Sequence, residues 1–303
     1  NLLPRFNDST ADICYKPRII LKFAESLLIN TKFNEPGLRQ LISLSDLIEK
    51  PEKINFEPNN TLIDLKDTGW TILRPKKSIE ILFKCGIPCP NFLPAHAHSD
   101  QLSFDIFIKG QPIIVSTGTS IYQKSFERSF ERSGSAHNVF ELGVIKNLPK
   151  RKIIWVEPVE VWNEFRVARK AKPLLRNSGV NQDGSMWVEG EHDGFNKYGA
   201  SHKRLIKVCI SKNGEINFYL NDKVFVKKLM AWRVWFHLGP NQNKNLIYPI
   251  ILELKKFHKF EFQWKETWYS SKFGQRISRK SLCINGLINK GFHEFSFKIP
   301  LMK

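Results

Sequence analysis

The sequence predicts a mainly β protein, a layered antiparallel β-sandwich preceded by a short helical segment. Three observations carry that expectation. From about Thr61 onward the chain consists of short runs rich in β-branched and aromatic residues. Turn signals such as Lys212-Asn213-Gly214 and Asn221-Asp222 separate the runs, and no helical periodicity intervenes between them. Strands that follow one another without crossover helices pair antiparallel and stack as layers.

Residues 1–55 read as helical. Apolar side chains recur at helical spacing from Arg18 to Leu28, and again from Leu38 to Ile48 after the Pro36-Gly37 break. Residues 56–303 read as the β domain. Trp70–Arg74 and Ile79–Phe83 open it, and Leu102, Phe104, Ile106 and Ile108 then fall on one face of a strand. Lys109-Gly110-Gln111-Pro112 turns that strand back into Ile113-Ile114-Val115 as a hairpin. Lys152–Val156, Leu205–Ile210 and Ile216–Leu220 continue the pattern, and residues 260–299 keep the same style without linker, low-complexity tract or internal repeat.

Composition bounds the partners. A chain of 303 residues with 42% hydrophobic content can bury a substantial core. The net charge of +18 attracts acidic polymers, nucleic acids or anionic surfaces at long range. No nucleic-acid-binding module is recognisable, so nucleic acid is not the expected partner. No run reaches the roughly 18 apolar residues of a membrane span, and no charged-then-apolar leader opens the chain. Five cysteines in so long a chain do not make a disulfide framework, and Cys85 and Cys89 lack the second pair that a zinc site needs. Oligomeric state has no signature here.

The chemistry concentrates between Pro94 and Phe140. His96 and His98 stand two apart, which on an extended strand turns both imidazoles to one face, with Asp100 at the same parity. Ser116 to Ser120 forms a hydroxyl-rich loop, Arg128 and Arg132 stand four apart in a short helical segment, and His137-Asn138 opens another strand. A single histidine is more often a satisfied core residue than a ligand. Three histidines, an aspartate and two arginines interleaved with strands are another matter, because they can bind an anionic substrate and move a proton beside it. The tryptophans are expected mainly in the core, with Trp162 the exception. The pair of blocks at 191–195 and 201–204 belongs on a hairpin, and His237, His258 and His293 are expected to be structural or exposed.

Four ordered blocks, HAHSDQLSF (96–104), GQPIIVSTGTSIY (110–122), ERSFERSGSAHNVF (127–140) and EVWNEFRVARKA (160–171), together resemble the heparinase II/III-like polysaccharide lyases. Shorter pieces, LPRFNDS near the start, DTGWTILR, GEHDGF, SHKR and SSKFG near the end, extend the resemblance over most of the chain. It implies an N-terminal helical toroid, of which residues 1–55 are the end, followed by C-terminal antiparallel sheets over 56–303. It also implies a uronate-containing acidic polysaccharide as partner, β-elimination as the reaction and the cell envelope or periplasm as the setting. His96 and Tyr122 fall at catalytic motif positions, and Arg128, Arg132, Asn138, Trp162, Arg166 and His192 are the expected substrate contacts. His98 and His137 correspond to zinc ligands of metal-containing relatives, but Ser116 stands where those relatives use an Asp. A neutral hydroxyl is a poor zinc ligand, so zinc binding is expected to be weak or absent. In characterised relatives a Tyr acting as acid or base lies in the toroid, so this chain alone is expected to eliminate little or nothing. The alternative reading is a non-catalytic polysaccharide-binding or structural module.

Overall fold

The computed structural model describes residues 61–148, 150–247 and 260–302. The helices expected within 1–55, the domain boundary drawn there and His258 lie outside these residues. Strict alternation of buried and partly exposed positions builds the central strands. In β12 (Ala200–Ile210) and β13 (Ile216–Val226) every second side chain enters the core, which is the signature of a sheet with one buried face.

Three antiparallel five-stranded sheets account for most of the chain. The first runs in order β1 (Thr61–Leu65), β2 (Trp70–Arg74), β3 (Ile79–Lys84), β4 (Phe104–Ile108) and β5 (Gln111–Ile114). The second places β10 (Pro173–Val180), β11 (Met186–His192), β12, β13 and β17 (Gly291–Met302) side by side. The third has order β15 (Phe260–Tyr269), β16 (Ile277–Ile288), β14 (Met230–His237), β6 (Phe140–Leu148) and β7 (Lys150–Trp155). A small hairpin, β8 (Val159–Val161) with β9 (Val167–Lys170), stands apart. Beyond Val234, β14 loses β6 as neighbour and pairs with β5 instead: Ile114 bridges Leu238, and the Val115 N–H donates to the His237 carbonyl at 2.9 Å. The first and third sheets are thereby joined, and one apolar core draws on both and on the second sheet, including Phe83, Phe104, Phe218, Phe236 and Leu282. This is the layered antiparallel sandwich expected from the sequence.

The hairpin at 104–114 has the expected face, since Leu102, Phe104 and Ile106 enter the main core and Ile108 packs against it. Its turn is tighter than the four residues the sequence suggested. Lys109 and Gly110 alone make it, with φ of 51° and 72°, the left-handed pair of a two-residue hairpin turn. A second core cluster, with Phe107, Leu82, Val115 and Tyr269, fills the opposite face.

One expectation fails in a way that shapes the site. His96 and His98 are not on a strand, and they do not share a face. Only Ala95 bridges to another segment, at Arg166, and His96 itself has φ 57°. A left-handed residue breaks the two-residue alternation of extended chain. The His96 ring therefore lies exposed while His98 is fully buried. The next loop is pressed onto the second sheet at Gly190, where a Cβ would lie 2.7 Å from Cys85 Sγ and 2.8 Å from Leu102 Cδ2. Cys85, Cys89, Cys209 and Cys283 are free thiols. No helix among the described residues is long and apolar enough to cross a membrane.

Candidate functional site

Helix α1 (Phe126–Arg132) organises the site. Ser125 caps it by accepting the Arg128 N–H at 3.1 Å, and Glu127 lies in its first turn, both favourable at a helix N-terminus. The four-residue spacing puts Arg128 and Arg132 on one helix face, and both guanidinium groups are buried. Arg128 donates to the Glu164 carbonyl through Nε at 3.0 Å and Nη2 at 2.7 Å. Arg132 donates to the Ala97 carbonyl at 3.1 and 2.9 Å, to the Phe165 carbonyl at 3.0 Å, and to the carbonyl of Asn163. The expected polymer contacts thus serve another purpose. They pin the 162–166 loop and the peptide between the two histidines of the HxH motif.

Above this frame His96 sits among rings. Its imidazole centroid is 5.2 Å from that of Phe165 and 6.1 Å from that of Tyr122, while the Arg128 guanidinium lies 5.1 Å from the Tyr122 ring centre. The His96 N–H donates to the Phe165 carbonyl at 3.0 Å, which fixes the left-handed backbone. An accessible imidazole beside a phenol, with a cation beneath, can exchange protons with a bound anion. Trp162, 70% exposed, and Arg166, also exposed, stand on the same loop.

Below the Ala97 peptide lies a second, buried cluster. His98 Nδ1 is 3.3 Å from His137 Nε2, so the structure does bring these two together. Burial holds the His137 imidazole down to about 3, so it is neutral. Lys84 grips both oxygens of Asp100 at 2.6 and 2.7 Å, and this pair is buried too. Burial alone would raise the Asp100 carboxyl, but the Lys84 ammonium outweighs it and holds it below its usual value. Asn138 is also buried. Its side-chain N–H donates to the Phe104 carbonyl and its Oδ1 accepts the His237 N–H, both at 2.8 Å, so it stitches β4 to β14 and does not face a cleft.

His192 is likewise inside. Its Nδ1 accepts the Gly194 N–H at 3.0 Å and caps the turn at 193–198, and burial holds it down to about 3. It pairs across the expected hairpin with His202, which touches Asp222 at 2.7 Å. Arg204 grips the same carboxylate at 2.7 and 2.9 Å and reaches across to the carbonyls of Leu102 at 2.8 Å and Asn138 at 2.7 Å. Nothing in the linear sequence marks Arg204, Asp222 or Lys84 as a unit. Each stands in an ordinary strand, and only the register brings them to the site.

The sequence profile of the family described as heparinase II/III-like, C-terminal, matches residues 57–286. The chain belongs to the heparinase II/III-like family. Solved heparinase structures have the same fold. A heparan sulfate lyase mutant from Pedobacter heparinus superposes with TM-score 0.63 at 16% identity, covering 100% of this chain and 44% of that one. A heparinase III described as the BT4657 gene product gives 0.64 at 12% identity, with 100% and 43% covered. A further heparinase III gives 0.60 at 15%, with 99% and 45% covered. The chain therefore spans less than half the length of these relatives. No curated protein is similar enough in sequence to count as a match.

The zinc site that the family resemblance implies does not fit the residues present. Two imidazole nitrogens 3.3 Å apart are compatible with one shared ion, but a zinc site takes at least three protein ligands. The Ser116 N–H and hydroxyl are both directed at Asp105 Oδ1, at 2.8 and 3.1 Å, and the nearby Asp100 is already neutralised by an ammonium. Among the described residues no three His, Cys, Asp or Glu side chains converge in a metal-binding geometry.

Proposed function

We propose that this chain is the β-sandwich portion of a polysaccharide lyase acting on a uronate-containing acidic polymer. The observation that carries the reading is the His96 ring, exposed on a left-handed backbone and set against Tyr122 and Phe165 over the buried Arg128 guanidinium. In the proposed reaction His96 takes the proton from the carbon next to the uronate carboxylate. The C–H electrons form the new double bond, the bond from the adjacent carbon to the glycosidic oxygen breaks, and Tyr122 protonates that oxygen. Exposed Arg166 supplies positive charge for the carboxylate, whose neutralisation makes the proton acidic.

The alternative, a binding module without turnover, draws on Ser116, a neutral hydroxyl directed at Asp105. Both readings require affinity for acidic polymer. They differ in the ultraviolet absorbance of unsaturated uronate, which grows with time only for a lyase. The test uses heparan sulfate, polygalacturonate and alginate with wild type and His96→Ala. Product that disappears in the variant establishes the lyase reading. Binding without product that His96→Ala leaves unchanged favours the module, and no binding at all removes both.

A further inference from the structure

Phe165 and Phe273 come from loops 108 residues apart in sequence, yet they stand on either side of Tyr122. The ring centroids are 5.3 Å apart for Phe165 and Tyr122 and 5.1 Å apart for Tyr122 and Phe273, with the planes tilted by 58° and 56°. Each phenylalanine is 37% exposed. Three tilted rings in a row, partly exposed and ending at His96, form a shallow aromatic trough.

The loops that carry the rings are held firmly. Phe165 is fixed by the buried guanidinium of Arg132 and by Asn163, whose side-chain oxygen accepts the N–H groups of Phe165 at 3.0 Å and Arg166 at 2.8 Å. The Phe273 loop is fixed by Ser270 N–H to the Thr117 carbonyl at 2.7 Å and by Gly274 N–H to the Ser120 carbonyl at 2.9 Å. Arg276 and Glu127 add a 2.6 Å ion pair. Half-exposed apolar rings on braced loops form a preorganised surface, which costs less to occupy than one that must be ordered on binding. Charge identifies the occupant. Arg166 follows Phe165 in the chain, Lys124 stands two residues from Tyr122 and Lys272 precedes Phe273, and all three are exposed.

We propose that Tyr122, Phe165 and Phe273 seat the C–H face of one pyranose unit of an acidic polysaccharide beside His96, while Lys124, Arg166 and Lys272 take the polymer's anionic groups. The assignment of an acidic polymer rests on the reading above, whereas the trough itself does not. A sugar offers an apolar face and a polar rim, and aromatic rings meet the first while cations meet the second.

The test is equilibrium binding of size-defined heparan sulfate, polygalacturonate and a neutral β-glucan at low and moderate salt. Phe165→Ala and Phe273→Ala are each expected to weaken acidic-polymer binding about tenfold, equivalent to about 1.4 kcal/mol, with the salt dependence unchanged. Lys124→Gln and Lys272→Gln are expected to flatten the salt dependence instead. Phe273→Trp is the second variant, expected to keep affinity and to shift its emission to the blue when polymer is added. Acidic-polymer affinity unchanged in both alanine variants, or no emission change in Phe273→Trp under saturating polymer, overturns the trough. Binding of the neutral glucan alone, lost in the alanine variants, keeps the trough and overturns the acidic-polymer reading, while binding of no polymer overturns both.

Discussion

Arg204→Met removes one member of a fully buried network and so tests what holds the site in place. In the native protein the guanidinium neutralises Asp222 and satisfies the carbonyls of Leu102 and Asn138, all without access to solvent. Removing one partner of a buried ion pair costs about 3–5 kcal/mol, because the remaining charge stays buried. Each carbonyl left without its donor adds about 1 kcal/mol or more, less than additively within one network. The sum is about 4–6 kcal/mol, a large part of the ~5–15 kcal/mol available to a domain. Arg204→Lys keeps the charge but not the fork, and is expected to lose about half as much. Arg204→Met combined with Asp222→Leu removes the stranded charge and is expected to recover most of the loss. Urea unfolding followed by tryptophan emission measures all three. A loss under about 1 kcal/mol for the single Met variant, or a double variant no better than the single, would show that the network is incidental.

Further predictions concern acid, metal and the buried asparagine. Burial depresses His192 to about 3, so below the ordinary value near 6.5 the unfolded chain takes up the proton first. Stability is therefore expected to fall as pH drops from about 6.5 toward 3, and His192→Gln to flatten that slope in pH-dependent urea titrations. Asp222 works in a lower window. Burial would raise it, but Arg204 and His202 outweigh burial and hold it at about 2, so its contribution is full above about pH 4 and is lost as pH falls through about 2. Metal analysis of protein purified without chelator is expected to find substoichiometric zinc, and added zinc is expected to leave the thermal midpoint unmoved. One tightly held equivalent would contradict the donor set around Ser116. Asn138→Ala should cost about 2–3 kcal/mol in urea unfolding, by stranding the Phe104 carbonyl and the His237 N–H.

Much of the fold was legible because strands announce themselves locally. Leu102, Phe104, Ile106 and Ile108 alternate, and the alternation survived into the core. The turn that follows was legible as the four residues Lys109 to Pro112, which the structure shortens to Lys109-Gly110. The site was legible only as a set of segments. His98 and His137 meet, as the family resemblance implied, and Arg128 and Arg132 share a helix face, as their four-residue spacing implied. The two-residue spacing of His96 and His98 misplaced His96, because periodicity cannot report a single left-handed residue held by a hydrogen bond to Phe165, 69 positions away. Arg128, Arg132, Asn138 and His192 were expected as substrate contacts because they lie in blocks that resemble the family. Burial and backbone hydrogen bonds give them structural work, and burial is a property of the assembled sheets. Trp162 was rightly set apart as exposed, but of the other tryptophans only Trp232 and Trp235 are buried and the rest are partly exposed, while Phe165 and Phe273 passed unnoticed within blocks already recognised as family-like.

The most direct test of the central claim, that His96 lies at the polymer-handling site of a lyase fold, is binding of heparan sulfate, polygalacturonate and alginate to wild type and His96→Ala. Unsaturated-uronate absorbance should be recorded on the same samples. The ring is exposed and packs on Phe165 and Tyr122 without supporting the core, so the variant is expected to keep the native unfolding midpoint. At least one acidic polymer should bind wild type and bind the variant about tenfold more weakly, and any absorbance growth should vanish. Equal affinity of both proteins, with equal or no product, would place the polymer site elsewhere and contradict the account.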